Sequence, residues 1–350
     1  MRNIILTGGG TLGHVSPHFA IIPHLNFDNV YYVGSKTGIE KNFVKSKGLK
    51  YFEIDPIKLN RSFTFKNLLI PFKFVKSINE SKKILKSLQP TVVFSKGGYV
   101  GLPVVIASKQ LNIPVIVHES DLSIGLSNKI ASKYADKTLT SFEKTAYSLK
   151  NGEYVGSPIR EELFLKNKNE AYKQFNISKN KPVLLITGGS SGSKFINQLV
   201  INNLDKLLQK FSIIHIVGKN NLTGVKKPDY IAVEFADMAL AYSICDICIS
   251  RAGSNTAFEL LSLEIPTLFI PLSKKSSRGD QIENANYFKN LNLCDVLFEE
   301  DTTDKIFIDK IFTLLKNKNY YINNLKNSKI KNGNIKIAKI SIKCCIFITV

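Results

Sequence analysis

The chain repeats one local pattern, a short apolar run that leads directly into a glycine-rich loop and then into a helical stretch. The first copy runs from Asn3 to Thr7 and continues as GGGTLG over 8–13, and the second runs from Pro182 to Thr187 and continues as GGSSGS over 188–193. Glycines let a backbone approach an anion closely, and the amides at the start of the following helix face that anion. The repeat therefore predicts two α/β halves, each with its own anion-binding loop.

The length of the chain and a break in the strand–helix pattern indicate that these halves are separate domains. A chain of 350 residues exceeds a typical single domain, and β-branched runs such as 91–95 and 114–118 alternate with helical periodicity. A Gly-Ser-Pro break within 153–160 precedes a charged stretch, 160–181, which we expect to be the interdomain linker. The predicted fold is α/β, with two Rossmann-like domains facing a shared cleft. The expected boundaries are 1–156 for the N-terminal domain, 157–335 for the C-terminal domain and 336–350 for an atypical tail.

The first loop matches the G-x-G-x-x-G fingerprint of dinucleotide-binding proteins. That fingerprint also needs an acidic residue at the end of the second strand, to bind the ribose hydroxyls. The second strand here, Val30 to Val33, closes on Gly-Ser-Lys, and the next acid is Glu40. A nicotinamide or flavin oxidoreductase is therefore disfavoured, and no cofactor is expected. A third glycine turn at 249–256 precedes a helix predicted over 257–263, where Glu259 is placed to bind a ribose.

Charge and amphipathicity indicate an anionic partner. The formal net charge is +20, which favours nucleic acid, an anionic membrane leaflet or phosphorylated substrates as a partner, although lysine is abundant throughout the chain. The stretch 60–76 interleaves aromatic and basic residues, as expected for a protein resting on a membrane. Its membrane or acceptor candidates are Phe63, Phe65, Leu69, Phe72 and Lys73. The alternative is a core helix with a solvated basic face. No segment is long and apolar enough to span a bilayer, so membrane contact is expected to be peripheral.

A metal site is not expected. His14 and His18 lie four residues apart on one predicted helix face, a spacing that suits metal ligation, but no third ligand accompanies them. No D-x-D pair occurs in the sequence to hold a divalent cation on a diphosphate.

Taken together, seven motifs resemble the MurG family of N-acetylglucosaminyltransferases, from about residue 3 to about residue 315. In order they are GGTLGH at 9–14, KGGYV at 96–100, HE at 118–119, GLSNK at 125–129, GGSSG at 188–192, SRAG at 250–253 and DQIENA at 280–285. The resemblance implies a GT-B fold and transfer of N-acetylglucosamine (GlcNAc) from UDP-GlcNAc to lipid I, the undecaprenyl-pyrophosphoryl-MurNAc-pentapeptide. It implies an inverting, metal-independent reaction that yields lipid II at the cytoplasmic face of the bacterial inner membrane, with no nucleic-acid partner.

The resemblance also implies roles for individual residues. His14 is the expected general base, since an imidazole with a pKa near neutrality suits that task, and the alternative is a histidine that only contacts substrate. His118 and Glu119 form the competing base or its orienting partner. The residues expected to contact UDP-GlcNAc are Thr11, Leu12, Gly13, Asp121, Arg160, Ser190, Ala236, Ser254, Asn255, Thr256, Ala257, Phe258, Glu259 and Gln281.

Three departures from the family pattern bear on efficiency. Leu12 replaces a usual glycine, Asp121 replaces an asparagine, and Ser254-Asn255 replaces Ala-Leu. The rival functions are another GT-B enzyme that uses a UDP-sugar, such as a glycolipid synthase or a UDP-GlcNAc 2-epimerase, and a non-catalytic descendant that still binds the membrane or the nucleotide.

Overall fold

The chain forms two compact units in a computed structural model that describes residues 1–57, 70–165, 167–189, 191–330 and 332–344. The first unit comprises Met1–Ile159 together with the chain from Asn332 onward, and the second comprises Arg160–Lys331.

The first unit is a parallel sheet with helices packed on it. Its strands in chain order are β1 (Asn3–Thr7), β2 (Asn29–Ser35), β3 (Lys50–Ile54), β4 (Val92–Ser95), β5 (Val115–Glu119), β6 (Lys137–Thr140) and β7 (Gly152–Tyr154). Its first helices are α1 (Ser16–Ile21), α2 (Glu40–Ser46), α3 (Ile70–Leu88), α4 (Gly98–Gln110), α5 (Leu126–Ala131) and α6 (Glu143–Tyr147). The strand order is β3-β2-β1-β4-β5-β6-β7, and the pairings are parallel.

The second unit repeats this architecture. Its strands are β8 (Val183–Thr187), β9 (Ser212–Ile216), β10 (Tyr230–Val233), β11 (Ile247–Ser250), β12 (Thr267–Phe269) and β13 (Asp295–Val296), in the parallel order β10-β9-β8-β11-β12-β13. Its helices are α7 (Lys168–Phe175), α8 (Lys194–Asn202), α9 (Leu204–Leu208), α10 (Met238–Ile244), α11 (Ser254–Ser262), α12 (Asp280–Asn290), α13 (Asp304–Lys316) and α14 (Lys318–Lys326).

Strand composition explains why both sheets are buried on two faces. The central strands, such as VLLIT at 183–187 and VIVHE at 115–119, are buried at every position. Near-continuous apolar runs are typical of parallel sheets whose two faces are both covered by helices. The predicted α/β class with two Rossmann-like halves is confirmed.

The stretch 160–181, expected to be a linker, is instead part of the second unit. It forms a 3-10 turn at Glu161–Phe164 and then α7, and both pack against α10. Leu163, Ala171 and Phe175 are buried there. Charged residues are common in this stretch, but its few buried apolar residues form one face. These three buried side chains are enough to pack the stretch against the second unit.

The segment expected to be an atypical tail begins with a regular helix, α15 (Asn334–Cys344). Ile337 is fully buried in the core of the first unit, with Ile340 packed against the same cluster. The Asn334 side chain accepts a hydrogen bond from the amide of Ile159 (3.0 Å) and donates one to its carbonyl (2.7 Å). The chain therefore returns from the second unit to complete the first.

Each sheet reverses its strand order at one point, between β1 and β4 in the first unit and between β8 and β11 in the second. The loops that leave two such strands diverge to opposite faces of the sheet and open a crevice where ligands of α/β proteins bind. The glycine loops singled out in the sequence follow these four strands.

Candidate active site

In the first unit, the loop after β1 turns through Gly10 into a 3-10 turn at Leu12–His14. Gly10 has φ +87°, and a Cβ there would lie 2.7 Å from the Tyr99 ring, so only glycine fits. Leu12 lies inside the 3-10 turn and has no positive φ. Its substitution for the usual glycine therefore costs no backbone strain. Thr11 is exposed, whereas Leu12 and Gly13 are half-buried.

Glu40, the acid that comes too late in the sequence to bind a dinucleotide ribose, packs beneath this loop. Its side chain is fully buried and accepts hydrogen bonds from the Ser35 amide (3.0 Å) and hydroxyl (2.6 Å), with the Gly10 amide at 3.5 Å. A Cβ on Gly9 would meet the Glu40 Oε1 atom at 2.7 Å. The carboxylate that comes too late in the sequence for a dinucleotide ribose thus shapes the glycine turn itself.

The two histidines predicted to share one helix face lie in different elements, His14 at the end of the 3-10 turn and His18 in α1, and have different environments. His14 is half-buried, with its Nδ1 atom 3.1 Å from the Thr11 hydroxyl. His18 is fully buried against Tyr32 and Phe94, and burial, assisted by the nearby Lys96 charge, lowers its pKa to about 3. His18 is therefore a neutral core residue. Among the described residues, no group of three or more His, Cys, Asp or Glu side chains is arranged to hold a metal ion.

The loop after β4 packs against the first loop. Gly97 and Gly98 both have positive φ, and a Cβ on Gly98 would lie 2.3 Å from the Gly9 carbonyl oxygen and 3.3 Å from the His14 Nδ1 atom. This close approach places His14 at the crevice where the strand order of the first unit reverses.

His118 and Glu119 are buried at the end of β5. The His118 Nδ1 atom lies 2.8 Å from the Lys96 ammonium and its Nε2 atom 3.4 Å from the Gly156 carbonyl oxygen. Burial lowers the pKa of His118 well below its usual value. Glu119 accepts hydrogen bonds from the Asp121 and Gly125 amides and from the side-chain amide of Asn128, at 2.9–3.0 Å. Glu119 thereby holds the 120–125 loop, in which Asp121 is half-buried.

In the second unit, two glycines stand at the reversal point of the sheet. Gly189, after β8, has φ +83°, and Gly253 ends the loop after β11. A Cβ at either position would meet nothing within 4 Å. Ser190 lies outside the described residues. These two positions therefore leave open space beside the backbone at the crevice.

Arg251 ties these loops together and is almost fully buried. Its guanidinium donates to the Ser193 hydroxyl (2.8 Å) and the Ile270 carbonyl (2.9 Å) and pairs with Glu299 at 2.5 Å. It therefore joins the ends of β8, β11 and β12.

The helix α11 carries six of the fourteen residues predicted to contact UDP-GlcNAc, namely 254–259. Gly253 precedes it and supplies no side-chain cap, and the N-terminus of a helix is a favourable place for an anion. Ser254, Ala257 and Phe258 have buried side chains, whereas Asn255 and Thr256 are half-buried.

Glu259 and Arg160, both predicted to bind the nucleotide, are brought together. The Glu259 carboxylate lies 3.7 Å from the Arg160 guanidinium and 3.5 Å from the Tyr242 hydroxyl. Its side chain is 18% exposed, and burial raises its pKa despite the Arg160 charge. Both contacts are long for hydrogen bonds, so the carboxylate is loosely held.

The remaining predicted contacts also follow strands of the second sheet. Gln281 lies in the first turn of α12, and its side-chain oxygen accepts from the Leu272 amide at 3.0 Å. Ala236 is half-buried between β10 and α10. The carboxyl ends of parallel strands share one edge of a sheet, so both residues lie at the edge that carries Gly189 and Gly253.

The predicted membrane segment is described from α3 onward. Phe72 is 76% exposed, and Lys73, Val75 and Lys76 are also exposed, whereas Phe74 packs against the core. Phe63, Phe65 and Leu69 lie outside the described residues. Across the described ranges, none of the helices combines the length and apolarity needed to cross a bilayer.

Comparison with known proteins agrees with the motifs. Residues 4–140 match the glycosyltransferase family 28 N-terminal domain, and residues 183–339 match the glycosyltransferase family 28 C-terminal domain. The UDP-N-acetylglucosamine--N-acetylmuramyl-(pentapeptide) pyrophosphoryl-undecaprenol N-acetylglucosamine transferase of Clostridium tetani is 47% identical over 340 residues, which cover 95% of each chain. The transferase of the same name from Clostridium botulinum strain Hall is 47% identical over 344 residues, 95% of this chain and 96% of that one.

Solved structures share the fold. Acinetobacter baumannii MurG superposes with a TM-score of 0.76 at 23% identity, covering 98% of this chain and 100% of that one. A UDP-GlcNAc 2-epimerase from Neisseria meningitidis, solved with UDP-GlcNAc bound, gives 0.67 at 16% identity, covering 99% and 100%. These likenesses confirm the GT-B fold class. The chain belongs to glycosyltransferase family 28, and within it to the MurG family of N-acetylglucosaminyltransferases.

Proposed function

We propose that the chain transfers GlcNAc from UDP-GlcNAc to lipid I, the undecaprenyl-pyrophosphoryl-MurNAc-pentapeptide, and so makes lipid II for peptidoglycan. The observation that carries the proposal is the crevice edge of the second unit. There an uncapped helix N-terminus, two open glycines and a loosely held carboxylate lie in a chain 47% identical to named transferases of this type.

In this proposal the second unit binds the donor. The first-turn amides of α11 donate to the diphosphate, since the N-terminus of a helix favours anions. Glu259 accepts from the ribose hydroxyls, and Arg160 exchanges its carboxylate partner for a phosphate. The Gln281 side-chain oxygen already accepts from a backbone amide, so its NH2 group donates to a sugar hydroxyl. Ala236 meets uracil through its backbone, and Ser190 approaches the nucleotide.

The first unit supplies the base. The acceptor hydroxyl of MurNAc loses its proton to His14 as its oxygen attacks the anomeric carbon, and UDP leaves with the bonding electrons on the opposite face, so the configuration inverts. The basic atom is Nε2, which requires the proton on Nδ1. The Thr11 hydroxyl, 3.1 Å away, can accept a hydrogen bond from that Nδ1–H group and so fix this tautomer. Neither His118 nor Glu119 moves the proton in this proposal, and Glu119 instead holds the neighbouring 120–125 loop.

Stabilisation of the leaving UDP comes from fixed dipoles in this proposal. The negative charge that develops on the β-phosphate is met by the amides of α11 and by the Arg160 guanidinium, which are in place before the reaction begins. Such preorganised donors are among the largest contributors to enzymatic rate enhancement. No divalent cation takes part.

Membrane contact uses the start of α3. Phe72 and Val75 project into solvent beside Lys73 and Lys76, which suits the acyl boundary and headgroups of an anionic leaflet. The enzyme would then rest peripherally on the cytoplasmic face of the inner membrane, where its lipid-linked acceptor lies. Phe72→Ser with Val75→Ser should reduce co-sedimentation with phosphatidylglycerol vesicles, whereas Tyr147→Ser, at an exposed aromatic of the same unit, should not. Equal sedimentation of both variants would contradict this docking surface.

The test of the reaction is acceptor-dependent release of UDP. Purified chain, UDP-GlcNAc and a short-chain lipid I analogue should release UDP only when all three are present. A 2-epimerase would instead convert UDP-GlcNAc without any acceptor, and a non-catalytic descendant would bind the nucleotide without turnover.

A further inference from the structure

Lys96 is a buried cation to which neither the motifs nor the proposed mechanism assigns a task. It follows β4 directly, is 2% exposed, and lies beside the reversal point of the first sheet. Its ammonium lies 2.8 Å from the His118 Nδ1 atom and 2.5 Å from the Ser120 hydroxyl. A lysine is almost never buried to this extent without a charged partner.

The hydrogen bonds of Lys96 fix the protonation of its neighbour. An ammonium only donates, so His118 accepts at Nδ1 and carries its proton on Nε2, which faces the Gly156 carbonyl oxygen at 3.4 Å. His118 is thus a neutral acceptor that orients the Lys96 side chain towards the start of the 120–125 loop.

The negative charges that act on Lys96 are the carboxylates of Glu119 and Asp121, at the start of the 120–125 loop. Burial lowers the pKa of Lys96 to about 7, and the carboxylates of Glu119 and Asp121 act in the opposite direction. Glu119 is buried, and its pKa is raised by burial and by the charge of Asp121. A nearby cation offsets the repulsion between two neighbouring carboxylates. The Lys96 ammonium, which bonds the Ser120 hydroxyl directly before Asp121, is placed to do so, while Glu119 is already held by three hydrogen-bond donors.

We propose that Lys96 is a positioning residue that balances the Asp121 carboxylate and anchors the 120–125 loop through Ser120. This inference rests on the proposed function and on the prediction from the sequence that Asp121 contacts UDP-GlcNAc. It explains how an acid is tolerated where the family pattern has a neutral asparagine. Lys96 and Asp121 then act as a pair, and the charge of Lys96 matters most when Asp121 is present.

A double-mutant cycle on the full chain tests this pairing, with Lys96→Met, Asp121→Asn and the double variant. The kcat, the KM for UDP-GlcNAc and the thermal midpoint are measured for each protein. Lys96→Met alone should lower kcat by about tenfold or more, and in the Asp121→Asn background the same change should cost less than about threefold. The KM for UDP-GlcNAc should change less than kcat does, since most of the residues proposed to bind the donor lie in the second unit. Lys133→Met, at an exposed lysine beyond α5, is the matched control and should change nothing.

An equal loss of kcat in both backgrounds would overturn the pairing. Should Lys96→Met not fold, Lys96→Gln, which keeps a donor, replaces it in the cycle. Should that variant also not fold, a folded double variant supports the proposal and an unfolded one overturns it. Absence of transfer by the wild-type chain would instead refute the proposed function, and the cycle would then be read from the free energies of unfolding of the four proteins.

Discussion

Removal of the Glu259 carboxylate should weaken donor binding without unfolding the protein. This carboxylate is 3.7 Å from the Arg160 guanidinium and 3.5 Å from the Tyr242 hydroxyl. The Arg160 side chain is 32% exposed, and partly exposed ion pairs contribute about 1 kcal/mol or less. Glu259→Ala should therefore lower the free energy of unfolding by about 1 kcal/mol at most.

The loss of donor binding should be larger. A hydrogen bond between an ionised carboxylate and a ribose hydroxyl contributes about 1.5–3 kcal/mol, which corresponds to about 10- to 150-fold in affinity. Ribose lies away from the bond that breaks, so the interaction is the same in the ground state and the transition state. The KM for UDP-GlcNAc should rise by that factor while kcat changes little.

The assay is UDP release at saturating lipid I analogue with UDP-GlcNAc varied, alongside thermal unfolding of the same preparations. Asp309→Ala, at an exposed carboxylate on α13, is the charge-matched control and should leave KM unchanged. A folded Glu259→Ala variant with the KM of the wild type would refute the ribose assignment.

Three further outcomes are expected. His14→Gln should lower kcat by about 10²- to 10⁴-fold, as loss of a general base does, and a loss below about tenfold would contradict the base assignment. EDTA should leave turnover intact, because the sequence has no D-x-D pair, and a loss that Mg²⁺ restores would show that a metal takes part. Acid should destabilise the fold, because burial lowers the pKa of His18 to about 3 and that of His215 to about 4. Between these values and about 6.5 the unfolded chain binds more protons than the folded chain. The free energy of unfolding therefore falls by about 1.4 kcal/mol for each histidine with every unit by which the pH is lowered in this range. Thermal unfolding of His215→Asn from pH 7 to pH 4 should show a shallower decline than the wild type, and an identical slope would refute this linkage.

Most of the fold can be predicted from local sequence patterns. The apolar strands, the glycine loops and the turn at 249–256 are contiguous in sequence, and their spacing predicts strands, loops and helices in the correct order. Two regions were interpreted wrongly because their apolar residues are sparse. The linker assigned to 160–181 forms a turn and a helix that dock through Leu163, Ala171 and Phe175. Residues 336–344 of the expected tail belong to a helix that completes the first core through Ile337.

The contacts of the buried charged residues could not be predicted from local sequence patterns. Glu40 comes thirty residues after Gly10, and Lys96 lies 22 residues before His118, so only the packing of parallel strands brings these groups together. The sequence nevertheless carried one signal. KGGYV at 96–100 places a lysine directly before the two glycines of a strand-to-helix turn, a position at the carboxyl edge of a parallel sheet where side chains face the crevice.

The most direct test of the account is the structure of the lipid product. Lipid I analogue incubated with UDP-GlcNAc and the chain should yield a disaccharide lipid, with one GlcNAc added to MurNAc and one UDP released per transfer. The proton coupling at the new anomeric centre, measured by NMR, should identify a β linkage, inverted from the α linkage of the donor. An α-linked product, or UDP-GlcNAc consumed while the lipid stays unchanged, would contradict the proposed reaction.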